Sequence, residues 1–179
     1  MLFTMMWFSA QFAMANSDVI EYNGKKVHRF FKIEKPGEYL LKFKFISSNS
    51  QFSQAIDIHY GGIKGNMYFL GENITKRKST FAQAIFFEDD IASRCFELEL
   101  KLKEGWIAIC NGSDRDGSKR GCSTLVEGCA MIIEEIKQNH YRFFCNDFEN
   151  DDDFDDLIFE LEIVELENTA NDSLLPDEI

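Results

Sequence analysis

Apolar and charged residues alternate along most of this chain. Tyr39, Leu41, Phe43 and Phe45 are separated by Leu40, Lys42 and Lys44. Ile56, Ile58 and Tyr60 alternate with Asp57 and His59, and Phe96, Leu98, Leu100 and Leu102 with Glu97, Glu99, Lys101 and Lys103. Phe159, Leu161 and Ile163 alternate with Glu160 and Glu162. A period of two sends successive side chains to opposite faces of a strand, so each run predicts a strand with one dry and one wet face. Residues 19–22 and 27–33 are strand-like and flank Asn23-Gly24, a two-residue hairpin signal in which both positions take positive φ. Pro36-Gly37 makes the next turn. Gly61-Gly62 is expected to end the strand over residues 56–60. Residues 67–70 and 81–87 read as two further strands. Residues 106–110 read as a short buried one after a turn at Gly105, and residues 111–121 as a polar, Gly-rich loop. Residues 130–136 suit a helix or a strand, and the Ile132-Ile133 pair favours a strand.

About ten short strands with little helical periodicity predict an all-β fold, an antiparallel β-sandwich or jelly roll. No internal repeat is visible. The first fifteen residues form an apolar segment ending in Ala13-Met14-Ala15, a small-x-small pattern that reads as a signal peptide cleaved before Asn16. The other reading of that segment is a first core strand or helix. Residues 16–166 then make the β-domain. Residues 167–179, polar, acidic and Pro-containing, make a flexible tail.

Composition narrows the function. A chain of 179 residues, 45% hydrophobic with 18 Phe, builds one domain with a sizeable core. A net charge of −12 argues against nucleic acid or an anionic membrane surface as partner. The apolar N-terminal segment is too short for membrane insertion.

That negative charge concentrates in one place. Asp147, Glu149, Asp151, Asp152, Asp153, Asp155 and Asp156 lie between the apolar run at residues 141–145 and the alternating run from Leu157. Carboxylates this close repel one another, and a compact fold must hydrate them or bind a cation. Calcium suits them, because it takes six to eight hard oxygens in flexible geometry. A solvated loop explains the charge as well. Against that reading, Phe154 sits inside the acid run, as a loop anchored to a core requires, and strands abut it on both sides. An EF-hand would place Asp151, Asp153, Asp155 and Glu162 at loop positions 1, 3, 5 and 12, but position 6 is Asp156 instead of glycine, and the flanks have strand periodicity.

The order Asp151-Asp152-Asp153-Phe154-Asp155-Asp156, following Asp147, resembles the calcium loop of small bacterial two-calcium lectins that bind fucose and mannose. It is also similar to the Asp-x-Asp-Phe-Asn-Asp signature of several bacterial extracellular β-domains. The match covers about ten residues. The resemblance implies that Asp147, Asp151, Asp153 and Asp156 are ligands and that Asp155 stands at the Asn position. It also implies two adjacent calciums coordinated directly by sugar hydroxyls, and a homo-oligomer, since a partner subunit's C-terminus completes the lectin site.

Other chemistry carries weaker signals. Cys95, Cys110, Cys122, Cys129 and Cys145 include no C-x-x-C pair, which argues against zinc; Cys122 and Cys129 are spaced to close a small disulfide loop. Sequons stand at Asn73, Asn111 and Asn171. His28, His59 and His140 are widely spaced, and no G-x-S-x-G, P-loop or H-E-x-x-H occurs. Asp114 and Asp116 read either as turn residues or as ligands of a calcium. Trp106, Tyr60 and Tyr68 suit either core packing or an aromatic platform for sugar rings. The expectation is a secreted, non-enzymatic, calcium-dependent carbohydrate-binding or adhesion module with metal ligands Asp147, Asp151, Asp153, Asp155 and Asp156. The alternative is a β-sandwich stapled by calcium that binds an extracellular protein.

Overall fold

The backbone at Asn23 and Gly24 takes φ of 50° and 73°, and the chain reverses there as the dipeptide predicts. This hairpin joins β1 (Val19–Tyr22) to β2 (Lys25–His28). The computed structural model describes residues 7–69, 72–73, 83–86, 94–114, 129–147 and 151–166. The remaining elements are α1 (Phe8–Ala15), β3 (Phe31–Ile33), β4 (Gly37–Ser47), β5 (Ser53–Phe69), β6 (Glu72–Asn73), β7 (Gln83–Phe86), β8 (Cys95–Asp114), β9 (Ala130–Lys137), β10 (His140–Asn146) and β11 (Leu157–Glu165). Among the described residues the fold is all-β with one short helix, and every strand pairing is antiparallel.

The described strands join in one sheet with the path β1-β2-β9-β10-β11-β4-β8-β5-β6, while β3 pairs with β8 and β7 with β5. The run predicted over residues 27–33 therefore splits. After β2 the chain leaves β9, and three residues later β3 lies on β8, far along the sheet path. That crossing requires the sheet to curl. Phe31 shows the result: from β3 its ring lies 4.8 Å from Tyr141 and 5.5 Å from Phe143 on β10.

The inner face carries the alternating apolar set. Phe43 stacks on Phe96 at 4.6 Å and Phe143 on Phe159 at 4.4 Å, with Leu41, Leu98, Leu100 and Leu161 buried beside them. The outer face carries the intervening charges, including the ion pair Lys42–Glu162 at 3.8 Å.

Two expected breaks are continuous strand instead. β5 runs through Gly61, and β8 runs through Gly105. The glycines mark irregularities, not ends. The β5–β8 register shifts between Gly61 and Lys64 and again at Gly65, and Gly105 takes φ 88°. Gly61 leaves room for the Trp106 ring, which a Cβ would meet at 2.6 Å.

The segment expected to be a signal peptide contributes α1. Phe8 and Phe12, one helical turn apart, are buried with Val27, Ala130 and Phe154 in a second apolar cluster. Asn16 ends the helix in the left-handed conformation, the usual geometry of a helix C-terminus. Among the described residues no helix is long and apolar enough to cross a membrane. The tail over residues 167–179 lies outside the described residues.

Candidate metal centre

The β10–β11 connection begins at Asp147, and residues 148–150, Glu149 included, lie outside the described residues. From Asp151 onward the alternation expected of an extended loop is broken. Asp152 and Phe154 take positive φ, 58° and 60°, which twists the chain at every second residue. The twist brings one carboxylate oxygen each from Asp151, Asp153 and Asp156 within 4.8 Å of one another. Two oxygens bound to one calcium at about 2.4 Å cannot stand further apart than about that distance.

The three acids differ in environment. Asp151 and Asp153 are exposed, whereas Asp156 is only 3% exposed. Burial pushes the Asp156 carboxyl up to about 7, and the neighbouring charges of Asp147, Asp151 and Asp153 push the same way; a hydrogen bond from the Asp147 backbone works against them. Asp153 is also raised, first by burial and then by Asp151 and Asp155, although the Asp155 amide donates to its Oδ1 at 3.2 Å.

The other two expected ligands are engaged elsewhere. Asp147 is fully buried, and its Oδ2 accepts from Ser50 Oγ at 2.7 Å and from Gln54 Nε2 at 3.2 Å. Its backbone N–H donates to Asp156 Oδ2 at 2.7 Å, so it supports the cluster from behind. The Asp155 carboxylate accepts from Asn49 Nδ2 at 3.2 and 3.3 Å and lies outside the triad. Asp152 accepts a hydrogen bond from the Tyr22 hydroxyl.

A polar layer fixes the loop to the rest of the fold. Ser48 Oγ donates to the Asp156 carbonyl at 2.7 Å, and the Asn49 amide donates to the Asp155 carbonyl at 3.2 Å. Asn111 Nδ2 donates to the Asn146 carbonyl at 2.8 Å, and Asn146 Nδ2 donates to the Asp147 carbonyl at 3.0 Å. The sequon asparagine Asn111 is thus a buried structural residue at 1% exposure. Sequence analysis did not single out Ser48, Asn49 or Ser50, because contacts about a hundred positions apart leave no local periodicity.

The remaining candidates lie apart from this centre. Tyr60 packs against the inner core, whereas Trp106, 38% exposed, lies over Gly61, so they do not form a joint platform. His59 sits edge-on to Phe30 at 5.7 Å, and burial, then Arg29, lowers its pKa; burial, then Lys26, lowers that of His28. His140 Nε2 stands 3.3 Å from Glu160 Oε2, and Arg142 binds Oε1 of the same carboxylate at 2.6 and 3.1 Å, holding Glu160 below the usual range. A groove of about 470 Å³ beside them carries Lys42, Lys44, Glu97 and Glu162. No two of the described cysteines are joined; Cys122 lies outside the described residues, as does Asp116. Burial raises the Cys145 thiol well above its usual range, with Cys129, Asp156 and Cys110 adding to the effect.

Sequence analysis did not single out Asp57. Its carboxylate is fully buried on β5, and neither oxygen has a hydrogen-bond partner among the described residues. The alternation of residues 56–60 predicted a wet position there, and the fold covers it.

The chain matches no family model, and no curated protein and no solved structure is significantly similar to it.

Proposed function

We propose that the protein is a calcium-dependent, non-enzymatic binding module. Asp151, Asp153 and Asp156 would hold the ion, with glycan hydroxyls completing its coordination. The observation that carries this reading is the convergence of three carboxylate oxygens within 4.8 Å, one of them on the nearly buried Asp156. Three like charges at that separation repel, and a divalent cation offsets the repulsion while supplying partners for oxygens that burial would otherwise leave dry.

The exposure of Asp151 and Asp153 favours a binding role over a purely structural one. An ion held by two outer and one inner carboxylate keeps coordination positions on its solvent side, and calcium's six to eight ligands leave room for hydroxyl oxygens there. So few protein charges suit the weak, millimolar affinity of extracellular modules, which supports a secreted location as part of this proposal. In the second reading the metal staples the β10–β11 connection and the surface binds protein. The bonds from Ser48 and Asn49 to Asp156 and Asp155 favour it, since they already tie that connection to the β4–β5 turn.

Thermal melting with calcium, with magnesium and with chelator tests the metal. A ligand at a hundred times its dissociation constant stabilises the folded state by about 2.7 kcal/mol, roughly 5–10 °C for a domain of this size. Calcium should raise the melting temperature by that order, and magnesium, with its tighter octahedral demand, by much less. A melting curve indifferent to calcium and chelator would return the loop to solvated surface. Glycan-array binding lost with chelator then selects the first reading, and calcium stabilisation without any glycan selects the second.

A further inference from the structure

The residues between the triad members are tied to the N-terminal segment. Asp152, between Asp151 and Asp153, accepts from the Tyr22 hydroxyl on β1. Phe154, between Asp153 and Asp156, is buried against α1, its ring 5.5 Å from that of Phe8. Phe8 in turn meets Tyr22 edge-on at 5.0 Å, so one aromatic residue of α1 touches both ties. These tied residues are also the two loop positions with left-handed backbone. A bulky residue such as Phe154 holds that conformation only where its surroundings impose it, while an aspartate such as Asp152 adopts it more readily. Here the surroundings are Phe8, Phe12, Tyr22, Val27 and Ala130. α1 itself contributes no acid to the cluster.

We infer that α1 is a latch for the acidic loop, so that seating of Phe8 and Phe12 sets the conformation in which Asp151, Asp153 and Asp156 converge. The inference rests on the proposed cation site for its functional consequence, but the latch itself is a statement about the loop. With α1 seated, the twists at Asp152 and Phe154 turn Asp151, Asp153 and Asp156 to one centre. With α1 released, Phe154 loses its apolar partners, the twists relax and the oxygens separate. Thermodynamic reciprocity then requires calcium to favour seating by the same factor by which seating favours calcium. Processing after Ala15 would remove Phe8 and Phe12 together, leaving a chain whose loop is loosened.

The test uses the full chain, with Phe8→Ala and Tyr22→Phe as variants and Met14→Ala, at an exposed position of α1, as control. Amide exchange of residues 8–15 and 151–156 is followed in calcium and in chelator, beside calcium titration. Phe8→Ala should weaken calcium at least tenfold and speed exchange across 151–156, while β4 and β11 keep their protection. Tyr22→Phe should weaken it by a smaller factor, and Met14→Ala should match the parent. Calcium should slow exchange over 8–15 in the parent. Phe8→Ala binding calcium within twofold of the parent, with unchanged exchange in the loop, overturns the latch. Should Phe8→Ala unfold the whole sheet, Tyr22→Phe decides in its place, and loop exchange identical to the parent's overturns the latch. If the parent binds no calcium, the proposed function fails separately. Loop exchange then decides: faster in Phe8→Ala supports the latch, and unchanged overturns it.

Discussion

The backbone N–H of Asp147 donates to Oδ2 of Asp156 across 2.7 Å, linking the end of β10 to the last acid before β11. That bond favours the ionised form of Asp156, yet burial and three neighbouring charges outweigh it and raise the carboxyl to about 7. A proton and a metal therefore compete for the same oxygens near neutrality. Calcium affinity should rise with pH up to about 7 and level off above it. Below 7 each unit of acidification should weaken binding by up to about tenfold, because one proton must leave Asp156. Calorimetric titrations at pH 6 and pH 8 measure the difference, and equal affinities would remove Asp156 from the ligand set.

The triad and its neighbours separate by substitution. Asp153→Asn should abolish most calcium binding, since it removes one of three charges at the centre. Asp155→Asn should leave affinity within about threefold, because the Asp155 carboxylate faces Asn49 and the loss is at most one polar contact. Terbium luminescence or calorimetry on the pair reads this directly. Equal losses from both would mean that bulk loop charge, not the three-oxygen geometry, holds the ion.

How far the sequence reached follows from the range of each interaction. Alternation is local, so the strands around Leu41, Leu98 and Leu161 were legible, as was the Asn23-Gly24 turn. The acidic loop was legible because its residues are contiguous. Which acids converge was not, because the answer lies in two backbone twists at Asp152 and Phe154 and in anchors from Phe8, Tyr22, Ser48 and Asn49. Gly61 and Gly105 misled for a related reason: a glycine signals a departure from regular geometry, and only the partner strand decides whether that is an end or a bulge.

Gly65 supplies a test of that strand continuity. Its φ of 150° is one that L side chains rarely adopt, and a Cβ there would stand 1.7 Å from the Lys101 carbonyl oxygen. Gly65→Ala must displace β8 and should cost about 3 kcal/mol or more. Gly24→Ala, at φ 73° but with open space around it, should cost only about 1 kcal/mol. Urea unfolding of both variants gives the comparison. A Gly65→Ala loss no larger than that of Gly24→Ala would contradict the close β5–β8 approach.

Asp57 should make the protein less stable as pH rises. Burial raises its carboxyl from 3.8 to about 7, with Cys110 and Ala84 as its cross-strand neighbours. The folded state thus holds a proton that the unfolded chain has already released above its ordinary value. Where the folded state binds more protons, stability falls with increasing pH, here between about pH 4 and pH 7, and it is level above that. A window of about three units at about 1.4 kcal/mol each amounts to roughly 4 kcal/mol, an upper figure for one group. Asp57→Val keeps the size and suits a strand while removing the titrating group. In chelator, which keeps metal from masking the effect, the variant should lose stability more slowly than the parent from pH 5 to pH 7. At pH 8 it should be the more stable of the two by about 1 kcal/mol or more, since no carboxylate is left buried without a partner. Denaturant unfolding across that range supplies both numbers. A parallel pair of pH profiles would show that Asp57 ionises in the fold as freely as it does in water.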